Sequence, residues 1–300
     1  MNKHPKLYFI LSMLIFSTIG IARRYIPLSS AALAMVRGVI GAAFLLLFVL
    51  IRREKIAWQT VRKNLLPLCL SGVFVAVNWI LLFESYRFTT VATATLCYYM
   101  APIFVTLLSP LFFKEKLTVK KLACVLVALG GMVLISGVLQ AGGGGGDFRG
   151  ILCGLGAAVF YACVTVLNKT VRGVSPFDKT IIQLSAAFIV LIPYVLLTES
   201  AQSLTFTPAV MLLILIVGVL HTGVAFACFF GSVEHLPAQT VALLSYLDPV
   251  LAIFLSAVFL RETVGLWSVI GAVLVLGSTL VNELTGPKEK SDAPLDASQE

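Results

Sequence analysis

The chain has 300 residues, 59% of them hydrophobic and only 12% charged. Soluble domains carry about 25% charged residues, so this chain has too few to cover a water-facing globule. Its net charge of +8 does not mark a nucleic-acid binder, because the basic residues stand between apolar blocks with no basic–aromatic stripe or recognition motif.

Ten apolar blocks follow in chain order. Crossing the hydrocarbon layer takes about 20 mostly apolar residues, and each block reads as a spanning helix. Leu7–Ala22 follows Lys3 and Lys6 and ends at Arg23 and Arg24 without a small-x-small cleavage pattern, so it reads as a first helix and not a removed signal peptide. Next come Ala31–Ile51, Leu65–Phe83, the charge-free Thr89–Phe113, and Leu122–Leu139. The segment 142–147 holds Gly142 to Gly146 and reads as a flexible external linker. Beyond it lie Gly150–Leu167, Ile181–Leu197, Ala209–Phe230, Ala238–Leu260 with Asp248 as its one charge, and Val264–Val281. The polar stretch 285–300 reads as a disordered cytoplasmic tail. Six cysteines (Cys69, Cys97, Cys124, Cys153, Cys163, Cys228) lie within apolar blocks, none in a Cys-x-x-Cys pair. They read as small core residues, with neither a metal site nor a disulfide framework expected.

Basic residues orient the chain. With the N-terminus inside, sixteen Lys and Arg fall on cytoplasmic segments and five (Arg23, Arg24, Arg87, Arg149, Arg261) outside, with Arg37 within a helix. That asymmetry puts both termini in the cytoplasm and supports an even number of spans.

A shift of 147 residues superposes 83–130 on 230–277 without a gap, with twelve of forty-eight positions identical. Hydrophobicity alone would not align Tyr99 with Tyr246, Pro102 with Pro249, Glu115 with Glu262 and Gly130 with Gly277 in one register. Residues 1–141 and 148–284 therefore read as two five-helix repeats. Five is odd, so the second half enters from the opposite side, an inverted repeat of the kind that builds secondary transporters around a central site. Pro102 and Pro249 each remove a backbone donor in mid-helix. Proline is tolerated in membrane helices anyway, but its matched placement points to paired hinges.

The run from each proline to Phe112-Phe113-Lys114-Glu115 and Phe259-Leu260-Arg261-Glu262, with Arg37 early in the second block, resembles the drug/metabolite transporter superfamily, EamA type, over residues 5 to 284. The resemblance implies an all-α integral membrane protein of ten transmembrane helices in two inverted five-helix repeats, working by alternating access. Its members move amino acids, nucleosides, sugars, sugar phosphates, polyamines and toxic compounds, so it does not name a cargo. Many members lack an acid where Asp248 stands, and its repeat partner here is Ala101.

Charge within a bilayer is expensive and usually faces a cavity or a partner. Asp248 and His221 sit near mid-block, and Arg37 about 9 Å from the outer edge by the rise of a helix. An acid and a base from opposite halves suit the ammonium and carboxylate of a zwitterion such as an amino acid, with Tyr246, Asn78, Trp79 and Tyr99 lining the site and Asp248 or His221 carrying a proton. Beside each functional role stands an ordinary one: a structural Asp248, a His221 satisfied by a hydroxyl, a snorkelling Arg37, packing for the aromatics and Asn78, capping for Glu115 and Glu262, a local pair for Glu84 and Arg87, and close packing for Gly150 and Gly154. No catalytic motif and no P-loop appears. The expectation is a secondary exporter of a small metabolite in the cell membrane, not an enzyme, with lipid and small-molecule partners, no nucleic acid, no cofactor, no metal and no assigned oligomeric state. The alternative is an intramembrane enzyme or a sensor without transport activity.

Overall fold

The computed structural model describes residues 4–53, 56–113, 118–135, 148–199, 207–233 and 235–285. Gly142 to Gly146, Lys114, Glu115 and the tail beyond 285 lie outside them. Every regular element among the described residues is a helix. They are α1 (Pro5–Ser17 and Ile19–Arg24), α2 (Ser30–Ile51), α3 (Leu65–Phe88), α4 (Val91–Tyr98 and Ala101–Phe113), α5 (Val119–Ile135), α6 (Phe148–Thr170), α7 (Pro176–Thr198), α8 (Pro208–Val233), α9 (Ala238–Ser245 and Leu247–Phe259) and α10 (Leu266–Thr285). Seven, α1–α4 and α6–α8, are long and apolar enough to cross a membrane; Leu243–Phe259 and Leu266–Asn282 are shorter apolar stretches. A short helix without an apolar block, Trp58–Lys63, leads into α3.

Local chemistry sets the ends. Ser29, Thr90, Ser175 and Thr207 accept from Ala32, Thr93, Asp178 and Val210 amides at 3.0–3.3 Å, filling orphan donors of α2, α4, α7 and α8. Pro5, Pro176 and Pro208 start their helices, where no N–H is needed.

Where the sequence reads α4 and α9 as continuous, both are broken, at Tyr99–Met100 and at Tyr246. The cause is local: Pro102 and Pro249 cannot donate to the carbonyls of Tyr98 and Ser245, four residues back. A third break falls at Thr18 in α1, and α8 loosens into a π-helix over Ile216–Val224.

In the bundle α3 lies along α6, α5 along α10, α7 against α2 and α3, and α8 against α1 and α2. The main core fills the space between α2, α3, α7 and α8, with Leu33, Leu45, Trp79, Phe83, Leu184 and Val217 buried. Small residues set the spacing. A Cβ on Gly150 would meet Thr89 at 2.7 Å, and one on Gly154 would meet Cys97 at 2.6 Å. Between α2 and α8 the interlock is mutual: Gly41 receives Thr222, while Gly218 and Gly223 receive Ile40 and Phe44, all closer than a Cβ permits.

Candidate functional site

The breaks of α4 and α9 bring Tyr99 and Asp248 together. The Tyr99 hydroxyl lies 2.9 Å from Asp248 Oδ2 and 3.1 Å from the Ser245 carbonyl, the acceptor that Pro249 frees. One proton serves two acceptors on the other helix. Asp248 is half-buried, its other polar contacts are absent among the described residues, and no cation stands within ion-pair distance. Tyrosines continue from this point. Tyr98 and Tyr246 pack edge-on or tilted against Tyr99 at 6.4 and 6.1 Å, and Tyr161 sits 5.3 Å from Tyr98. Tyr98, Tyr99, Tyr246 and Asp248 are all half-buried, so aromatic walls with phenolic edges surround the carboxylate.

Arg37 holds the opposing charge. It is 5% exposed and does not snorkel. Its guanidinium lies 4.0 Å above the Trp79 ring, with Phe83 at 5.8 Å, a cation–π contact that partly replaces lost hydration. Nε donates to Thr222 Oγ1 at 2.7 Å; the two Nη groups bond no described residue. Arg37 and Asp248 form no ion pair.

The π-turn aims two successive side chains of α8 at different helices, Thr222 at α2 and His221 at the break of α1. His221 Nε2 lies 2.9 Å from Thr18 Oγ1, and Nδ1 3.3 Å from the Ile216 carbonyl, while Thr18 Oγ1 also reaches the Ile15 carbonyl at 2.8 Å. Carbonyls only accept. All three contacts are hydrogen bonds together only when both ring nitrogens carry protons, and a neutral ring gives one up.

Farther along, Glu262 joins the halves. Its carboxylate accepts from the amides of Val91 at 2.9 Å and Ala92 at 3.4 Å, and Arg24 Nη2 donates to it at 3.3 Å. A carboxylate is well placed on amides at a helix start. Arg261 adopts φ 54° just before it, a left-handed turn that costs a non-glycine residue and folds Glu262 back toward α4. At this end Leu247–Phe259 packs on Val91–Tyr98 and on Ile19–Arg24. The other two segments, Ala101–Phe113 and Ala238–Ser245, make no such packing on each other among the described residues. Glu262 thus ties the two halves together at this end.

Of the residues singled out in the sequence, Tyr99 and Asp248 meet, with Tyr246 beside them; Arg37 and Trp79 meet; His221 neighbours Thr222 but bonds to α1. Tyr246 donates to Thr279 at 2.8 Å. Asn78 is buried, donates to the Ala157 carbonyl at 2.6 Å and is also a hydrogen-bond partner of Tyr98. Pro102 and Pro249 each lie just past a break. Glu84 and Arg87 pair at 2.9 Å. Thr18 and Thr222 were not legible, because a threonine within an apolar block is indistinguishable from one that bonds its own helix. Among the described residues no cluster of His, Cys, Asp and Glu suits a metal ion.

A family model described as the EamA-like transporter family matches residues 5–137 and 148–283. Relatives include the uncharacterized transporter YxxF of Bacillus subtilis (strain 168), 30% identical over 272 residues, which are 89% of this chain and 85% of that one. An uncharacterized transporter of Clostridium kluyveri is 23% identical over 299 residues, 95% of each chain. A solved crystal structure is similar in fold, with a TM-score of 0.65 at 22% identity over 95% of this chain and 98% of the other.

Proposed function

Because the chain belongs to the EamA-like transporter family, and is thus a multi-pass membrane transporter of small molecules, we propose that it is an alternating-access secondary carrier exporting a zwitterionic metabolite of the amino-acid class. The observation that carries this reading is the Asp248 carboxylate, held by Tyr99 of the first half and lacking a cation. A substrate ammonium supplies that cation. Arg37, over the Trp79 ring with both Nη groups unbonded among the described residues, offers a fork for the substrate carboxylate, and the tyrosines beside Asp248 suit the cargo's body.

Ten helices in two inverted repeats, 1–141 and 148–284 joined by a linker at 142–147, lie in the cell membrane with both termini cytoplasmic. Under that orientation the Glu262 end is outside, and an exporter loads from the opposite, cytoplasmic end. Pro102 and Pro249 are the hinges. Loading releases Tyr99 from Asp248, and rocking of the segments beyond each break exposes the cargo outside. Asp248 or His221 carries the coupling proton; for His221 that proton decides whether the contacts to Thr18, Ile15 and Ile216 are all made at once. The chain is read as a carrier and not as an enzyme or sensor, with no resident cofactor.

The test is counterflow in proteoliposomes loaded with unlabelled amino acid. Asp248→Asn keeps the volume and removes the charge. Uptake of labelled amino acid by the wild type, lost in this variant, supports the reading. Equal uptake by the two would end it.

A further inference from the structure

A second cleft opens near the Glu262 end, apart from the tyrosine-lined centre. Its volume is about 430 Å³, and Arg23, Arg24, Arg87, Ser29, Tyr86 and Glu199 are among its walls. The three arginines differ in what they bind. Arg24 is committed to Glu262 and the Thr89 carbonyl, and Arg87 to Glu84. Arg23 is 4% exposed and donates only to neutral acceptors, the Ile26 carbonyl at 2.8 Å and Ser30 Oγ at 3.3 Å. Its Nε, itself buried, has no hydrogen-bond partner among the described residues. Glu199 lines the same cleft but forms no ion pair with it. A buried guanidinium with an unfilled donor and no ion pair among the described residues is costly, and Arg23 stands on the wall of the cleft.

The wall also faces inward. Tyr86 borders the cleft and is itself buried, its hydroxyl 3.5 Å from Thr95 Oγ1. Gly20 lets α1 approach it: a Cβ there would stand 3.2 Å from the Tyr86 ring and 2.5 Å from Val91.

We propose that this cleft is a second binding site on the same path, where Arg23 Nε receives the carboxylate of the cargo after it passes Tyr86. The proposal rests on the reading that the cargo bears a carboxylate. The volume suits a small organic molecule, and a single free guanidinium edge suits a monoanion. An anionic lipid headgroup shares that oxyanion chemistry and is separated by the experiment.

The experiment uses the full chain with Pro27→Cys, at an exposed position in the cleft wall, in phosphatidylcholine nanodiscs. Maleimide labelling of residue 27 is followed by mass spectrometry with alanine, propionate or neutral propionamide present. Alanine and propionate slow labelling and propionamide does not. Arg23→Gln raises the concentration needed by at least about tenfold, the value of one charge-assisted hydrogen bond. Arg23→Lys, which keeps the buried charge and guards against misfolding, weakens protection for want of the Nε edge, and Glu199→Gln strengthens it. Protection by propionamide equal to propionate, or protection unchanged in both Arg23 variants, overturns the proposal. So does slow labelling in equimolar phosphatidylglycerol nanodiscs without added carboxylate, which assigns the cleft to lipid. Labelling is read without transport, so the two readings fail separately: protection without carboxylate transport sinks the cargo class, and transport without protection sinks the cleft.

Discussion

Tyr99 and Asp248 face each other across the two broken helices, hydroxyl to carboxylate at 2.9 Å, and the same hydroxyl sits 3.1 Å from the carbonyl that Pro249 leaves unbonded. One phenol therefore holds both the charge and the break of α9.

Tyr99→Phe leaves two acceptors on α9 short of a donor. An unmade hydrogen bond to a buried group costs about 1–3 kcal/mol, so counterflow should fall by roughly tenfold or more while the protein still inserts. Asp248→Asn should abolish or strongly weaken transport, and flatten the pH dependence of whatever transport is left if that acid carries the proton. A profile as steep as wild type from a variant that still transports would pass the role to His221, with His221→Gln as the check.

Arg37→Lys retains charge but loses the planar stack on Trp79 and the fork of donors. Affinity for the amino acid should drop by roughly tenfold or more, from the loss of about 1.5–3 kcal/mol. Competition by the corresponding amine, which lacks the carboxylate, should barely change. Equal weakening for both competitors would mean that Arg37 merely supports the fold.

Glu262→Gln weakens a cap shared by two amides and Arg24. Losing such a cap costs about 0.5–2 kcal/mol, enough to shift a two-state balance several-fold toward the conformation open at that end. A cysteine in place of Thr93, which lines a cavity beside Glu262, should then react faster with an impermeant reagent added outside. Unchanged reactivity would argue that this end is held shut by packing alone.

Pro249→Ala returns an N–H to the Ser245 carbonyl, which then competes with Tyr99. The helix should straighten and transport slow without loss of insertion, and Pro102→Ala should act likewise in α4. Wild-type rates in both single variants and in the double variant would leave the prolines without a hinge role.

Cysteines at Pro27 and Gln59, both exposed, test the orientation. An impermeant reagent outside intact cells should label the first and spare the second, and the reverse would invert the topology.

The helices were legible because long apolar runs have few other uses, and their observed ends differ from the sequence blocks by only a few residues; α3 runs furthest past its block, to Phe88. The breaks were half legible: proline names the carbonyl it abandons but not the group that takes it, and Tyr99 lies 146 residues from that carbonyl. Capping by Glu262 was the ordinary expectation for a helix-end acid, yet its target on α4 belongs to the other half. The π-turn left no trace in composition, since it exchanges one backbone acceptor for the next. Arg37 and His221 were found by their cost in an apolar run, whereas Thr222 and Thr18, which satisfy them, cost nothing there and drew no notice.

The glycine interlock of α2 and α8 has a mechanical meaning. Thr222 sits in the notch of Gly41, Ile40 in that of Gly218 and Phe44 in that of Gly223. Teeth and notches alternate between the two helices, so neither slides along the other without collision. The pair travels as one piece, carrying Arg37, Thr222 and His221 at fixed spacing. Whatever motion moves the cargo, the relative travel must be taken up elsewhere, between this unit and the jointed helices α1, α4 and α9, whose contacts are phenols, hydroxyls and a carboxylate that can be exchanged one at a time.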